Sequence, residues 1–148
     1  MLKVSFYELN TLTNDQLKFA VIMARYEGKW ILVRHKDRTT WEIPGGHREE
    51  NEDINDTASR ELIEETGSKA FCVIPVCIYS VHNGEAETFG QLFYADIECL
   101  EDSLAYEIGE VGLFESIPEN LTYPLIQPYL YHQVEEFIDR KRTDFNLV

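Results

Sequence analysis

The sequence predicts an α/β or α+β fold in which a mixed β-sheet packs between helices, and three observations lead there. Short apolar runs of strand length recur along the chain, each bounded by Gly, Pro or Asn breaks. One helix-period segment lies in their midst and a second closes the chain, the arrangement that covers a sheet with helices. No repeat, low-complexity tract or Ser/Gly-rich linker divides the 148 residues, so residues 1–148 are expected to form a single domain around one core. At 44% hydrophobic and 12% aromatic residues, the composition is that of a chain that folds.

The elements follow in order. Leu17 to Ala24 and Trp30 to Val33 are apolar runs separated by Tyr26-Glu27-Gly28-Lys29, and read as a hairpin of two largely buried strands with Gly28 supplying the turn. Trp41-Glu42-Ile43-Pro44-Gly45-Gly46 reads as a strand released into a loop at the Pro-Gly-Gly break. A helix is expected over Asp53 to Thr66: Asp53 or Asn55 can cap it, Ala58, Glu61 and Leu62 favour it, and Gly67 stops it. Phe71 to Val81 and Thr88 to Ile97 are further strands around a His82-Asn83-Gly84 turn. The last helix runs from near Pro124 to about Lys141, with Leu130, Val134, Phe137 and Ile138 on one face and both Pro124 and Pro128 confined to its approach or first turn.

A net charge of −14 repels polyanions, so a nucleic-acid polymer is not the expected partner; small phosphate esters remain open if a divalent cation bridges them to carboxylates. No stretch has the length of a membrane span and the N-terminus lacks a secretory apolar run, so the expected location is cytoplasmic, with no membrane partner. Cys72, Cys77 and Cys99 are odd in number and lie in strand-like stretches, which reads as buried free thiols.

The chemistry concentrates between Gly46 and Ser68. Gly46 is followed six positions later by Glu52, and eight positions further by Arg60-Glu61-Leu62-Ile63-Glu64-Glu65-Thr66-Gly67. On a helix Glu61, Glu64 and Glu65 share one face, and like charges so spaced cost about 0.2–0.5 kcal/mol per pair. A bound cation resolves that conflict. Mg²⁺ suits it, with Mn²⁺ as a substitute, because the face offers only hard oxygen donors and neither His nor Cys. A solvated acidic face would account for three glutamates alone. It does not account for the whole pattern, whose chance occurrence is roughly one in 10⁸ per window at background usage.

This pattern resembles the Nudix box, and the likeness extends loosely through the Trp41 to Gly46 lead-in and through Ile117-Pro118. Ser68 stands where the box ends in an aliphatic residue, and Asn51 where many members carry Gly; Asn tolerates the left-handed conformation that Gly would use. The resemblance implies a Nudix-type α/β/α sandwich and Mg²⁺-dependent hydrolysis of a diphosphate linkage in a nucleoside diphosphate derivative. It also implies that Glu61, Glu64 and Glu65 hold the metal, with the Gly45 carbonyl and Glu49 as further ligands. The proton acceptor for the attacking water is Glu61 or Glu64 in the box, or Glu107 or Glu110 in a later loop. Arg60 completes this catalytic set by pairing with Glu52 and orienting the loop against the helix. Gly46, Glu52 and Gly67 shape the loop and the helix end.

Substrate choice lies outside the box. Phe6, Phe19, Tyr79 and Phe89 are candidates to line a nucleobase slot, and His47 is the histidine closest in sequence to the chemistry; His35, His82 and His132 read as surface or packing residues. Overall the chain is similar to small bacterial mutator-type members that convert oxidised or ordinary purine nucleoside triphosphates to the monophosphate and pyrophosphate. Alternatives are an ADP-ribose or nucleotide-sugar pyrophosphatase, disfavoured by the short segment before the first expected strand, and a catalytically silent ligand sensor, disfavoured by the intact glutamates. A monomer or weak homodimer acting on a small nucleotide is expected.

Overall fold

A computed structural model of the chain describes residues 2–100 and 108–146. Seven strands form one mixed sheet: β1 (Lys3–Tyr7), β2 (Leu17–Tyr26), β3 (Lys29–His35), β4 (Gly45–His47), β5 (Ser68–His82), β6 (Glu87–Leu100) and β7 (Ile108–Phe114). Their order is β1-β5-β6-β2-β3-β7, with β4 also on β2; β2 and β6 run parallel and the other pairs antiparallel. The helices are α1 (Ile54–Thr66) and α2 (Gln127–Asn146), so the α+β expectation of a mixed sheet between helices holds.

Side-chain alternation divides the core in two. On β2, Ala20, Ile22 and Ala24 face α1, where they meet Ile54, Ala58 and Leu62; Met23 faces the other way, towards Leu130 and Val134 of α2. β6 does the same with Phe93, Ala95 and Ile97 on one side and Leu92 on the other. Both faces of these central strands are covered, which is why each reads as an unbroken apolar run.

Local chemistry sets the boundaries. Glu27 (φ 51°) and Gly28 (φ 78°) both adopt the left-handed conformation, matching the hairpin turn to the twist of β2 and β3. Asp53 caps α1 by accepting from the Asn55 N–H at 2.8 Å, and Gly67 (φ 71°) ends it with its own N–H on the Ile63 carbonyl. Asn51 takes φ 65°, the left-handed conformation expected of a residue standing in for Gly. Pro128 lies in the first turn of α2 and Pro124 precedes it.

Two strands escaped the sequence pattern. β1 lies in the short segment before the first expected strand and pairs with β5 from Lys3↔His82 to Tyr7↔Ile78; as an edge strand of only five residues its alternation is too brief to stand out. β7 is interrupted by Gly109 and Gly112, and a Cβ on Gly112 would collide with the Trp41 ring. The thiols also differ from expectation. All three are free, but Cys72 and Cys99 are exposed and only Cys77 is buried.

Candidate active site

The hairpin of β2 and β3 is paired only near its turn, from Ala24↔Ile31 to Tyr26↔Lys29. Beyond it the strands part, and residues 41–47 fill the gap. Glu42 exchanges both backbone hydrogen bonds with Val33 at 2.9 Å, the Pro44 carbonyl accepts from the Ile22 N–H at 2.9 Å, and β4 pairs with Phe19 to Val21. Ladder bonds fall at Pro44 and Arg48, so Gly45 turns both its peptide groups away from β2. Its N–H donates to Glu65 Oε1 at 2.8 Å, and its carbonyl shares that side. Both glycines are required by close approach: a Cβ on Gly45 would strike the Ala20 carbonyl, and one on Gly46 would overlap the Glu61 carboxylate.

α1 presents its glutamates in two directions around this loop. Arg60 binds Glu52 through two parallel hydrogen bonds, Nε to Oε2 at 2.8 Å and Nη2 to Oε1 at 2.9 Å, and also donates to the His47 carbonyl at 3.1 Å. Its Nη1 meets Glu61 at 2.8 Å, Glu64 at 3.5 Å and the exposed Glu49 at 3.6 Å. Glu52 further accepts from the Thr57 hydroxyl at 2.7 Å and the Glu49 N–H at 3.1 Å. The Arg60 hydrogen bond above all brings the Glu52 carboxyl down to about 2, and Glu52 in turn raises Arg60 above its ordinary value. Burial pushes the Glu61 carboxyl up, against the opposing pull of Arg60. Glu65 points elsewhere: it is buried, held by Gly45, with His35 Nε2 at 3.4 Å from its other oxygen.

The conflict of like charges is therefore met in part by Arg60, with Glu65 turned from the other two. Among the described residues, no three His, Cys, Asp or Glu side chains stand close enough together to hold an ion as they are. The donor set still fits a hard divalent cation: carboxylate oxygens from α1, a glycine carbonyl on the side of the Glu65 carboxylate, and a Gly46 position whose missing Cβ leaves the Glu61 carboxylate room.

A cavity of about 370 Å³ opens beside the glutamates on the α2 face of the sheet. Gly45, Gly46, Glu65, His35 and Glu42 form its polar end, while Phe19, Val21, Tyr79, Val81, Ile126 and Leu130 form apolar walls. Phe19 and Tyr79 are thus on the cavity; Phe19 also packs on the His47 ring, centroids 4.5 Å apart. Phe6 sits opposite Tyr79 in the β1–β5 register and packs into the α2-side core without reaching the cavity lining. Phe89 is a correction. Its side chain packs on the α1-side core, and its neighbour Thr88 faces the cavity, since adjacent strand residues point to opposite faces.

Glu110 is likewise not in a loop but on β7, opposite Arg34, which it meets in an ion pair at 3.5 Å; Glu107 lies outside the described residues. Ser68, which stands where the box ends in an aliphatic residue, is buried and hydrogen-bonded to Thr66, whose hydroxyl donates to the Leu62 carbonyl at 2.6 Å. His82 accepts from the Gly84 N–H at 3.0 Å in its turn, and His132 meets Glu136 at 3.1 Å on the exposed side of α2. The sequence reading missed His35, Glu42 and Gln127. His35 stands between two carboxylates, at 3.4 Å from Glu65 and 3.6 Å from Glu42, whose buried Oε1 has no hydrogen-bond partner. Only the pairing of β3 with residues 41–47 joins them, which no local motif records.

A helix bearing carboxylates, a glycine loop laid against it and an adjoining apolar cavity define a class: hydrolases of diphosphate linkages. The NUDIX domain family model matches residues 15–93, and the chain belongs to that family. It is 36% identical, over 74% of its length and 69% of the relative's, to a Bacillus subtilis (strain 168) protein named as a candidate 8-oxo-dGTP diphosphatase, YtkD. The crystal structure of the Bacillus subtilis pyrophosphohydrolase BsRppH superposes with a TM-score of 0.74 at 28% identity, covering 91% of this chain and 90% of that one. The MutT NUDIX hydrolase of Burkholderia pseudomallei shares the fold, with a TM-score of 0.64 at 19% identity over 80% and 98% of the two chains. The protein is a Nudix pyrophosphohydrolase acting on a nucleoside diphosphate derivative. Nudix hydrolases generally use divalent metal ions. No helix among the described residues is long and apolar enough to cross a membrane.

Proposed function

We propose that this enzyme hydrolyses a purine nucleoside triphosphate, oxidised or ordinary, to the monophosphate and pyrophosphate with Mg²⁺. The observation that carries this reading is the continuity of the cavity: apolar walls of base-binding character run directly into the Gly45, Gly46 and Glu65 edge of the helix face. A base held at one end places its phosphates at the other. The 69%-covered relative named as a candidate 8-oxo-dGTP diphosphatase supports the same substrate class.

In this reading Glu61, Glu64, Glu65 and the Gly45 carbonyl, with Glu49 alongside, hold the ion. Bound there, Mg²⁺ neutralises the polyphosphate and acidifies water. Glu61 takes the proton from the attacking water, because its carboxylate is packed over Gly46, a residue of the cavity lining, while Glu64 is about half exposed. Water adds to an internal phosphorus, the bridging P–O bond breaks, and its electrons leave with the departing phosphate group. Arg60 keeps the loop and helix in register through Glu52 and the His47 carbonyl.

The test is phosphorus NMR of the products after turnover of a purine triphosphate in ¹⁸O-water, with ADP-ribose as a parallel substrate. Monophosphate and pyrophosphate are expected as first products. Diphosphate and orthophosphate, or turnover confined to ADP-ribose, would overturn the assignment.

A further inference from the structure

The hairpin of β5 and β6 turns through Asn83-Gly84, an exposed pair that neither the glutamate face nor the cavity uses. Hydrogen bonds arrange its atoms closely. The Gly84 N–H donates to His82 Nδ1 at 3.0 Å, so Nδ1 is the unprotonated nitrogen of that ring. The Asn83 side-chain oxygen, Oδ1, accepts from the Glu85 N–H and from the Ala86 N–H, both at 2.9 Å.

These are the parts of an acyl-transfer site gathered within one turn. The side-chain carbonyl carbon of an asparagine closes a five-membered ring with the next backbone nitrogen, so the two reactants are already held together. Glycine after it leaves that nitrogen unhindered. At Gly84 no heavy atom beyond its chain neighbours lies within 4 Å of where a Cβ would stand. Imidazole is a base suited to neutral pH, and here it is set on the proton that the nitrogen must lose. The two N–H groups on Oδ1 polarise the carbonyl and meet the negative charge that an addition places on it.

We propose that Asn83 is a self-modifying site, at which the turn converts its own amide to aspartate and isoaspartate with His82 as general base. Gly84 N attacks Asn83 Cγ while its proton passes to His82 Nδ1. The tetrahedral intermediate collapses with cleavage of the Cγ–Nδ2 bond, and the departing nitrogen takes that proton back and leaves as ammonia. Water then opens the cyclic imide, at the side-chain carbonyl to give aspartate or at the main-chain carbonyl to give isoaspartate. Either product adds a negative charge. Isoaspartate also lengthens the main chain by one methylene in the turn that joins Val81 to Thr88, both on the cavity lining.

The test is timed incubation of the intact chain at neutral pH and physiological temperature. Peptide mapping by mass spectrometry locates amide-to-acid conversion, and backbone fragmentation separates aspartate from isoaspartate. Conversion is expected at Asn83 ahead of every other asparagine. His82→Gln keeps an acceptor for the Gly84 N–H but supplies no base, and should slow conversion by roughly tenfold or more. The same chain unfolded in guanidinium chloride, where only the Asn-Gly sequence acts, should convert more slowly than the folded one. An unchanged rate in His82→Gln, faster conversion in the unfolded chain, or an Asn83 that stays intact would overturn the proposal and make these bonds a brace that holds the turn closed. Should His82→Gln fail to fold, the folded and unfolded wild-type rates decide by themselves.

Discussion

The two faces of the sheet use the same strands and treat charge in opposite ways. On the α1 side the working groups lie on one contiguous segment, with Arg60 tied to Glu52, Glu61 and Glu64 within a few residues. On the α2 side the cavity is gathered from β2, β5, residues 42–47 and the start of α2, and is walled chiefly by apolar side chains around a single oriented amide. The difference teaches which tasks need local spacing and which need a fold. Arranging carboxylates at i, i+3 and i+4 takes only a helix, whereas shaping a slot takes side chains from strands far apart in sequence.

The comparison predicts that damage on the two faces will separate in kind. The largest effect should come from Glu61→Gln or Glu64→Gln, which keep shape and helix propensity while removing charge: kcat should drop by about 10² or more with the melting temperature nearly unchanged. Near-wild-type turnover in both variants would move the chemistry off α1. Next comes Gly46→Ala. Its methyl would displace the Glu61 carboxylate, so turnover should fall by roughly tenfold or more, with a weaker apparent Mg²⁺ affinity in a metal titration.

A cavity change should act differently. Phe19→Ala removes a wall and its contact with His47, and is expected to raise KM by roughly threefold to tenfold with kcat little altered, the pattern of lost uniform binding. If kcat fell instead as steeply as in the glutamate variants, the division of labour between the faces would fail. The metal supplies a gentler check: Mg²⁺ in the millimolar range should raise the melting temperature progressively, and the rise should shrink in Glu64→Gln, as mass action on a native-state site requires.

The smallest expected effect concerns acid stability. Glu52 ionises in the folded chain at about 2, below its ordinary 4.5, so its pair with Arg60 stabilises the fold fully above roughly pH 4.5 and loses that contribution as pH falls through about 2. Thermal melts of wild type and Glu52→Gln between pH 2 and pH 6 should converge at the acid end. A constant gap across that range would assign the effect of Glu52 to packing rather than charge.

The amino-acid sequence by itself determined the α1 side. The Asp53 cap, the Gly67 stop, the left-handed Asn51 and the partnership of Arg60 with Glu52 are all short-range consequences of residue type and helical spacing, and each is present in the structure. It also determined the central strands, because burial on both faces leaves an unmistakable apolar run. Only the tertiary structure decided the rest. Whether Phe19 or Phe89 met the cavity depended on strand parity relative to the helices, and Glu110 became a strand residue because β7 pairs with β3. His35, Glu42 and Gln127 entered the site through backbone pairings across the split between β2 and β3 and through one N–H on Ile43. Backbone pairing has no side-chain signature, so these contacts exist only once the chain has folded.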